Sequence, residues 1–537
     1  MRIASALLAG LFLILPAVRA GDQGLTGTWQ VSIFEQGQQL SFWLLKLEMK
    51  DGKLGGTVQA AKGFLDSSLE KVRLEGDKLL LTFKLDKIGL VDFECVAPKA
   101  GAKAIRGILE VNGQLMPVRL DPTKAESLEL AKNPPPNFSY EQAKEMLAKN
   151  PDDPRLFDAS ATLFREAQGN KATAEEVKEW AQALVKAAAR YGPRWQRETA
   201  LRVAGRLASM EGYAAVAEET ARQALTVIGP KGPALLRLRA LGGLETVLKK
   251  AGKDEESKTV RKQIEAMEEP AYKEYSKTAL PFATKEAAPR KGNRVVLVEL
   301  FTGATCPPCV AADFAFDGLE HTYKRNDVVL LQYHLHIPGP DPMTNPDSEA
   351  RAAYYGKDVP GTPSIMFNGK VAPNPVGPRA LAEKRYNECL DIVKPLLAES
   401  AKTKVEASAV RKGDKIDITA SVSDLENPGE KVKLRLVLVE DWIRFSARNG
   451  LQYHSRVVRA LPGGAEGMAL TKPTGKQTVT VDVGELRRNL EKYLEDKRAF
   501  ANSPRPLRLQ DLRVVAFVQN DENHEVLQAI EVPVRRE

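Results

Sequence analysis

Two residues dominate the chemistry available to this chain: Cys306 and Cys309, separated only by Pro307 and Pro308 and placed directly after the apolar run Val295, Val296, Leu297 and Val298. A short β-branched run, a turn containing Gly303 and a helical pattern from Val310 to Leu319 read as strand, tight turn and helix, with Cys306 at the helix start. The unpaired N–H groups and dipole of a helix start favour a thiolate over a thiol, lowering a thiol pKa from its reference of about 8.5. One turn further in, Cys309 is placed to attack a mixed disulfide formed at Cys306. The pair is suited to thiol–disulfide exchange, with Cys306 as nucleophile and Cys309 as resolving thiol. The two prolines between them supply no backbone N–H to solvate the sulfur. That predicts a less acidic Cys306 than a dipeptide with free N–H groups would give.

The elements that must position this pair lie on both sides of it. A second signal runs from Tyr354-Tyr355-Gly356 through Val359-Pro360-Gly361-Thr362-Pro363 to the apolar strand Ile365, Met366 and Phe367, which ends in the hairpin dipeptide Asn368-Gly369. Strand, CxxC and helix, a Tyr-Gly helix end, and Thr-Pro followed by a strand and Asn-Gly together resemble the thioredoxin superfamily over about residues 290 to 400. The resemblance implies an α/β thioredoxin fold in which Pro363 is cis and shapes the cleft. It also implies that the Thr362 backbone pairs with an extended client. Thioredoxins place a buried Asp six residues before the first cysteine; Leu300 stands there here. The acid Glu299 is one step away, and one step along a strand reverses the direction of a side chain.

The rest of the chain separates by composition into further domains, 537 residues implying three to five. Residues 1–20 carry Arg2, an apolar stretch from Ala6 to Leu15 and the small-residue end Val18-Arg19-Ala20, the pattern of a cleaved secretory signal. The apolar stretch is well short of the roughly 20 residues of a membrane span, and no later segment is apolar enough to be one. A periplasmic or extracellular location is expected. Residues 21–128 hold eight short runs at regular spacing: Thr28–Phe34, Leu40–Met49, Leu54–Val58, Val72–Leu74, Leu79–Leu85, Gly89–Cys95, Ile105–Val111 and Leu115–Leu120. Turns at Asp51-Gly52, Gly76-Asp77 and Asn112-Gly113 separate some of them, and the set reads as a small antiparallel β-barrel or sandwich. Asn133-Pro-Pro-Pro-Asn137 is a stiff linker.

Residues 136–270 then show apolar positions at helical spacing, with breaks at Asn150–Pro154, Gly169-Asn170, Tyr191-Gly192-Pro193, Gly229–Pro233 and Gly252. Six or seven helices in antiparallel pairs are expected, and the pattern resembles tetratricopeptide-like repeats without a strict 34-residue consensus. A linker from Lys285 to Asn293 leads into the thioredoxin-like part at 285–400. Residues 403–537 read as a β-sandwich, interrupted by one amphipathic helix from Leu486 to Leu494. Within it Tyr453–Ala460, Val514–Asn520 and Glu525–Ala529 resemble the C-terminal part of Omp28-type secreted bacterial proteins, an architectural likeness only.

Charge and cysteine usage set limits. The formal charge of +8 becomes +6 when Arg2 and Arg19 leave with the signal, and the basic residues are interspersed with acids, so no nucleic-acid footprint appears. Four cysteines are too few for a disulfide framework. Cys95 and Cys389 sit at core positions of a strand and a helix and read as small buried hydrophobes, a bridge between them being the other option. His334 and His336 stand at i and i+2 on one strand, but nothing at metal-ligand spacing completes a site, and Val310 after Cys309 rules out the c-type haem motif. The dithiol is its own redox group and needs no diffusible cofactor. The expected function is a secreted thiol–disulfide oxidoreductase acting on protein clients, recycled by an unidentified redox partner. The rival is an extracytoplasmic scaffold protein whose CxxC is a structural clip.

Overall fold

The computed structural model describes residues 24–63, 66–85, 89–97, 103–111, 114–128, 137–287, 290–447, 449–496 and 505–537. The expected signal at 1–20, the Asn112-Gly113 turn and most of the Asn133–Asn137 linker lie outside the described residues. The chain forms two compact units, Met1–Ala271 and Tyr272–Glu537.

The first unit begins with eight strands: β1 Gly27–Glu35, β2 Gln38–Lys50, β3 Lys53–Ala61, β4 Ser68–Glu75, β5 Lys78–Leu85, β6 Gly89–Val96, β7 Ile105–Val111 and β8 Gln114–Pro122. They form one antiparallel sheet in the order β3-β2-β1-β8-β7-β6-β5-β4, a near-barrel, and each contains one of the runs expected from the sequence. The interior is filled rather than hollow, because alternate side chains turn inward and large ones meet there. Trp43 packs at 5.1 Å from Phe83 and 5.8 Å from Phe93, ring centre to ring centre. Asp51 and Gly52 both have positive φ, 52° and 72°, as the tight β2–β3 hairpin requires.

Among the described residues seven α-helices follow: α1 Tyr140–Lys149, α2 Leu156–Glu166, α3 Ala174–Ala188, α4 Pro193–Ala208, α5 Ala214–Ile228, α6 Ala234–Lys250 and α7 Asp254–Ser276, the end of α7 from Tyr272 on belonging to the second unit. Ser139 and Thr173 cap α1 and α3 with reciprocal capping boxes. A break at Ser209–Tyr213, between α4 and α5, is one the sequence reading passed over. Its only punctuator is Gly212 (φ 82°).

The second unit is built on β9 Val296–Thr302, β10 Val328–His334, β11 Ser364–Phe367, β12 Lys370–Val371, β13 Lys404–Lys412, β14 Lys415–Ser423, β15 Gly429–Arg444, β16 Tyr453–Ala460, β17 Met468–Leu470, β18 Gly475–Asp482, β19 Leu512–Asn520 and β20 Val526–Arg536. Its helices are α8 Val310–Thr322, α9 Pro346–Tyr355, α10 Ala382–Leu396 and α11 Val483–Glu495. Among the described residues the strands make one mixed sheet in the order β12-β11-β9-β10-β16-β15-β19-β20-β13-β14-β18, with β17 on β15. The strands beyond residue 403 were expected as a separate sandwich. They continue the sheet of the cysteine-bearing segment instead, because β16 pairs in parallel with β10 at Gln332–Val457.

β9 and β10 run parallel and are buried along their whole length, as strands covered on both faces must be. On one face Val296, Val298 and Leu300 pack against Ala312, Phe316 and Leu319 of α8 and Tyr386 and Val393 of α10. On the other, Leu297, Phe301 and Tyr333 pack with Tyr355 of α9 and with Val437 and Phe517 of the later strands. β11 runs antiparallel to β9, and its hairpin turn at Asn368 (φ 46°) and Gly369 (φ 80°) is the one Asn-Gly announces.

Candidate active site

β9 ends at Thr302, and the chain turns through Gly303, Ala304 and Thr305 to Cys306. The turn is tight because Gly303 lies against another backbone. A Cβ on it would meet the Ile337 carbonyl oxygen at 2.4 Å. Cys306 was expected at the helix start. It stands one turn earlier, in extended conformation, followed by a single 3-10 turn over Pro307–Cys309 that runs into α8. The Cys309 N–H closes this turn onto the Cys306 carbonyl at 3.3 Å and the Val310 N–H onto the Pro307 carbonyl, while the two prolines stand where a helix start needs no donor.

Cys306 and Cys309 form a disulfide. Cys306 is 1% exposed and Cys309 0%, whereas Pro307 and Pro308 are exposed. What covers Cys306 is the segment the sequence placed beside it. The Thr362 carbonyl oxygen lies 3.7 Å from Cys306 Sγ, and the Thr362 hydroxyl approaches the same sulfur at 3.5 Å. The Thr362–Pro363 bond is cis. The Thr362 hydroxyl also reaches the carbonyl of Ile337, at 3.3 Å, joining the Pro-rich loop after β10 to the Thr-Pro turn. The four predicted residues Cys306, Cys309, Thr362 and Pro363 are thus brought together.

Glu299 faces away from this cluster, as the strand alternation foretold. It forms a buried ion pair with Arg351 of α9, at 2.8 and 2.9 Å, and accepts a hydrogen bond from the Tyr355 hydroxyl at 2.5 Å. A different buried polar group lies on the α8 face of the sheet. Asp313 of α8 accepts from the Thr302 hydroxyl at 2.8 Å and from the Gln332 amide at 3.2 Å. The Gln332 oxygen faces His334 Nε2 at 3.1 Å, and His334 Nδ1 faces Asp341 Oδ2 at 2.7 Å. Asp341 in turn accepts from the backbone N–H of Ala304 at 2.6 Å and of Met343 at 2.8 Å, so this chain holds the cysteine turn at Thr302 and at Ala304.

Electrostatics along the chain differ from one carboxyl to the next. Burial alone would raise the Asp341 carboxyl, but the His334 imidazole and the two backbone donors hold it below its ordinary value. Burial pushes Asp313 well above the carboxylate range. His454 of β16 lies edge-on to His334 at 5.1 Å, and burial followed by that neighbour depresses it to about 3. The two histidines weighed for a metal are thus otherwise engaged, with His336 facing the Tyr493 hydroxyl at 3.0 Å.

The sequence reading missed Asp313, Gln332 and Asp341. One signal for Asp313 was present. Its helix segment Ala311-Ala312-Asp313-Phe314-Ala315-Phe316 is apolar all round, the mark of a buried helix, and an acid in such a helix is buried with it. Cys95 and Cys389 are free, buried thiols that burial pushes up to about 12.

No helix among the described residues is long and apolar enough to cross a membrane. No protein-family model matches the chain, and no curated protein matches it. Among solved structures it is similar to HBP35 of Porphyromonas gingivalis, with 15% identity, a TM-score of 0.31, and 46% of this chain and 77% of that chain covered. It is also similar to a domain of the outer membrane lipoprotein Omp28 from Porphyromonas gingivalis, with 19% identity, a TM-score of 0.18, and 26% of this chain and 99% of that chain covered.

Proposed function

We propose that the chain is an extracytoplasmic thiol–disulfide oxidoreductase of thioredoxin-like fold. The observation that carries the reading is the closed Cys306–Cys309 pair with the Thr362 carbonyl 3.7 Å from Cys306 Sγ. A client thiolate attacks Cys306 Sγ, and the electron pair of the Cys306–Cys309 bond leaves on Cys309. A second client thiolate then attacks the mixed disulfide, so the client gains a disulfide and the protein a dithiol. Run backwards, the same steps reduce a client. Thr362 and Pro363 line the place where the client backbone lies, and Pro307 and Pro308 stiffen the turn between the sulfurs. The helices of the first unit are read as a tetratricopeptide-like array that selects the client, and residues 1–20 as the secretion signal.

Cys306→Ser is expected to abolish reduction of insulin by dithiothreitol, and Cys309→Ser to accumulate client mixed disulfides; a fully active Cys306→Ser protein overturns the proposal. A second reading has one observation in its favour. With both sulfurs sealed from solvent, the disulfide also suits a structural clip in an interaction protein.

A further inference from the structure

Exchange at Cys306 requires an incoming sulfur to reach Sγ, yet Cys306 is 1% exposed with the disulfide closed. The stretch lying against it comes from the loop after β10. Leu335 and Asp341 are buried at the two ends of this stretch, whereas Ile337, Pro338 and Pro340 between them are exposed. Both ends are fastened to the cysteine turn. The Leu335 N–H donates to the Thr302 carbonyl at 2.9 Å, and the Asp341 carboxylate accepts from the Ala304 N–H at 2.6 Å. Between these anchors the Ile337 carbonyl sits against Gly303, and Gly339 lies beside the Thr305 hydroxyl. Across the cleft the stretch is held by one hydrogen bond among the described residues, from the Thr362 hydroxyl to the Ile337 carbonyl at 3.3 Å. The same hydroxyl lies 3.5 Å from Cys306 Sγ.

Resting on the exchange reading above, we propose that residues 337–340 are a strap closed over Cys306, that it swings aside to admit the attacking thiolate, and that His336 is its latch. His336 Nδ1 accepts from the Asp341 N–H at 3.0 Å, so the ring proton is on Nε2, which donates to the Tyr493 hydroxyl of α11 at 3.0 Å. The two rings also stack, with centres 5.8 Å apart and planes 15° from parallel. The root of the strap is thereby tied to a helix 157 residues further along the chain. Opening breaks the Thr362–Ile337 and His336–Tyr493 hydrogen bonds and leaves the anchors at Thr302 and Ala304 in place, so the cysteine turn keeps its geometry. A segment held by so few bonds opens far more readily than the whole unit unfolds. The strap takes no part in the bond changes, which remain attack on Cys306 Sγ with the electron pair leaving on Cys309. A closed strap accounts for a sulfur that is sealed in the resting protein and still exchanges.

The test is the rate at which dithiothreitol reduces the oxidised full chain, divided by thiolate concentration. It is compared with the same rate for the urea-unfolded chain and followed through low urea. The native chain should react more slowly than the unfolded one, with a rate nearly independent of urea below the unfolding transition, because opening the strap exposes little surface. Tyr493→Phe keeps the ring stacking and removes the hydroxyl, and His336→Phe removes both of its hydrogen bonds. Each should speed reduction by roughly 2- to 10-fold, the effect of losing about one hydrogen bond from the closed state. A native chain reduced as fast as the unfolded one overturns the inference, and so do latch variants that react at the wild-type rate. Both results leave the exchange reading standing. A rate that climbs with urea as steeply as global unfolding, or a disulfide that resists dithiothreitol until the chain unfolds, overturns the exchange reading and this inference with it.

Discussion

Replacing Arg351 by Ala would strand the charge of Glu299 in the middle of the second unit. Arg351 is 1% exposed and Glu299 0%, and two parallel hydrogen bonds at 2.8 and 2.9 Å join them. The guanidinium also lies 4.7, 4.8 and 5.3 Å from the ring centres of Tyr354, Tyr355 and Phe517. After truncation Glu299 keeps the hydrogen bond from the Tyr355 hydroxyl but has lost its counter-charge. Removing one partner of a buried pair costs about 3–5 kcal/mol, far more than the same change at the surface. At roughly 2–4 °C per kcal/mol for a domain of this order of size, the unfolding temperature should fall by about 6–20 °C. Differential scanning calorimetry of the full chain measures it. The double replacement Glu299→Leu with Arg351→Leu should recover most of the loss, since a buried pair exchanged for packed apolar groups is often neutral or stabilising. A loss from Arg351→Ala below about 1 kcal/mol, the size of an exposed pair, would refute the reasoning.

Three further outcomes follow from the site and its surroundings. His454 titrates near 3 in the folded chain against 6.5 ordinarily, so between those values the unfolded state binds more protons. Stability from this group is present above about pH 6.5 and is lost as pH falls toward 3. His454→Gln should therefore show a smaller shift in urea midpoint between about pH 7 and about pH 5 than the wild type does. Native alkylation after reduction should label neither Cys95 nor Cys389, whose thiols are buried and pushed up to about 12, and both should label on unfolding. Gly303→Ala should push the Ile337 carbonyl away and speed reduction of the disulfide by dithiothreitol; an unchanged rate would mean that this loop does not shield Cys306.

Much of the fold was legible because its signals are local. Each of the eight runs in residues 21–128 became a strand, since alternation and Asx-Gly or Gly-Asp turns act over a few residues. The same holds for β9, α8 and the Thr362–Gly369 stretch, whose order along the chain also places the cysteines beside Thr362. What escaped is non-local. Nothing in Tyr453–Ala460 says that it pairs in parallel with β10, an alignment joining residues more than a hundred apart. Arg351, in Arg-Ala-Ala-Tyr-Tyr, looks like an ordinary surface helix residue until Glu299 is found opposite it. Asp341 reads as one polar residue in a Pro-rich loop, and only the folded chain sets it under Ala304 and against His334. The helix break at Ser209–Tyr213 was lost because a lone Gly212 is a weak stop signal beside the Gly-Pro pairs elsewhere.

The most direct test of the central claim is the reduction potential of the Cys306–Cys309 pair. It is measured by equilibrating the full chain in glutathione or dithiothreitol buffers and reading the thiols by alkylation and mass spectrometry. Thiol–disulfide exchange as the function requires a midpoint above about −300 mV, with Cys306 alkylated before Cys309. A midpoint well below about −300 mV, or a pair that no buffer reduces without unfolding, would contradict it and identify the disulfide as structural.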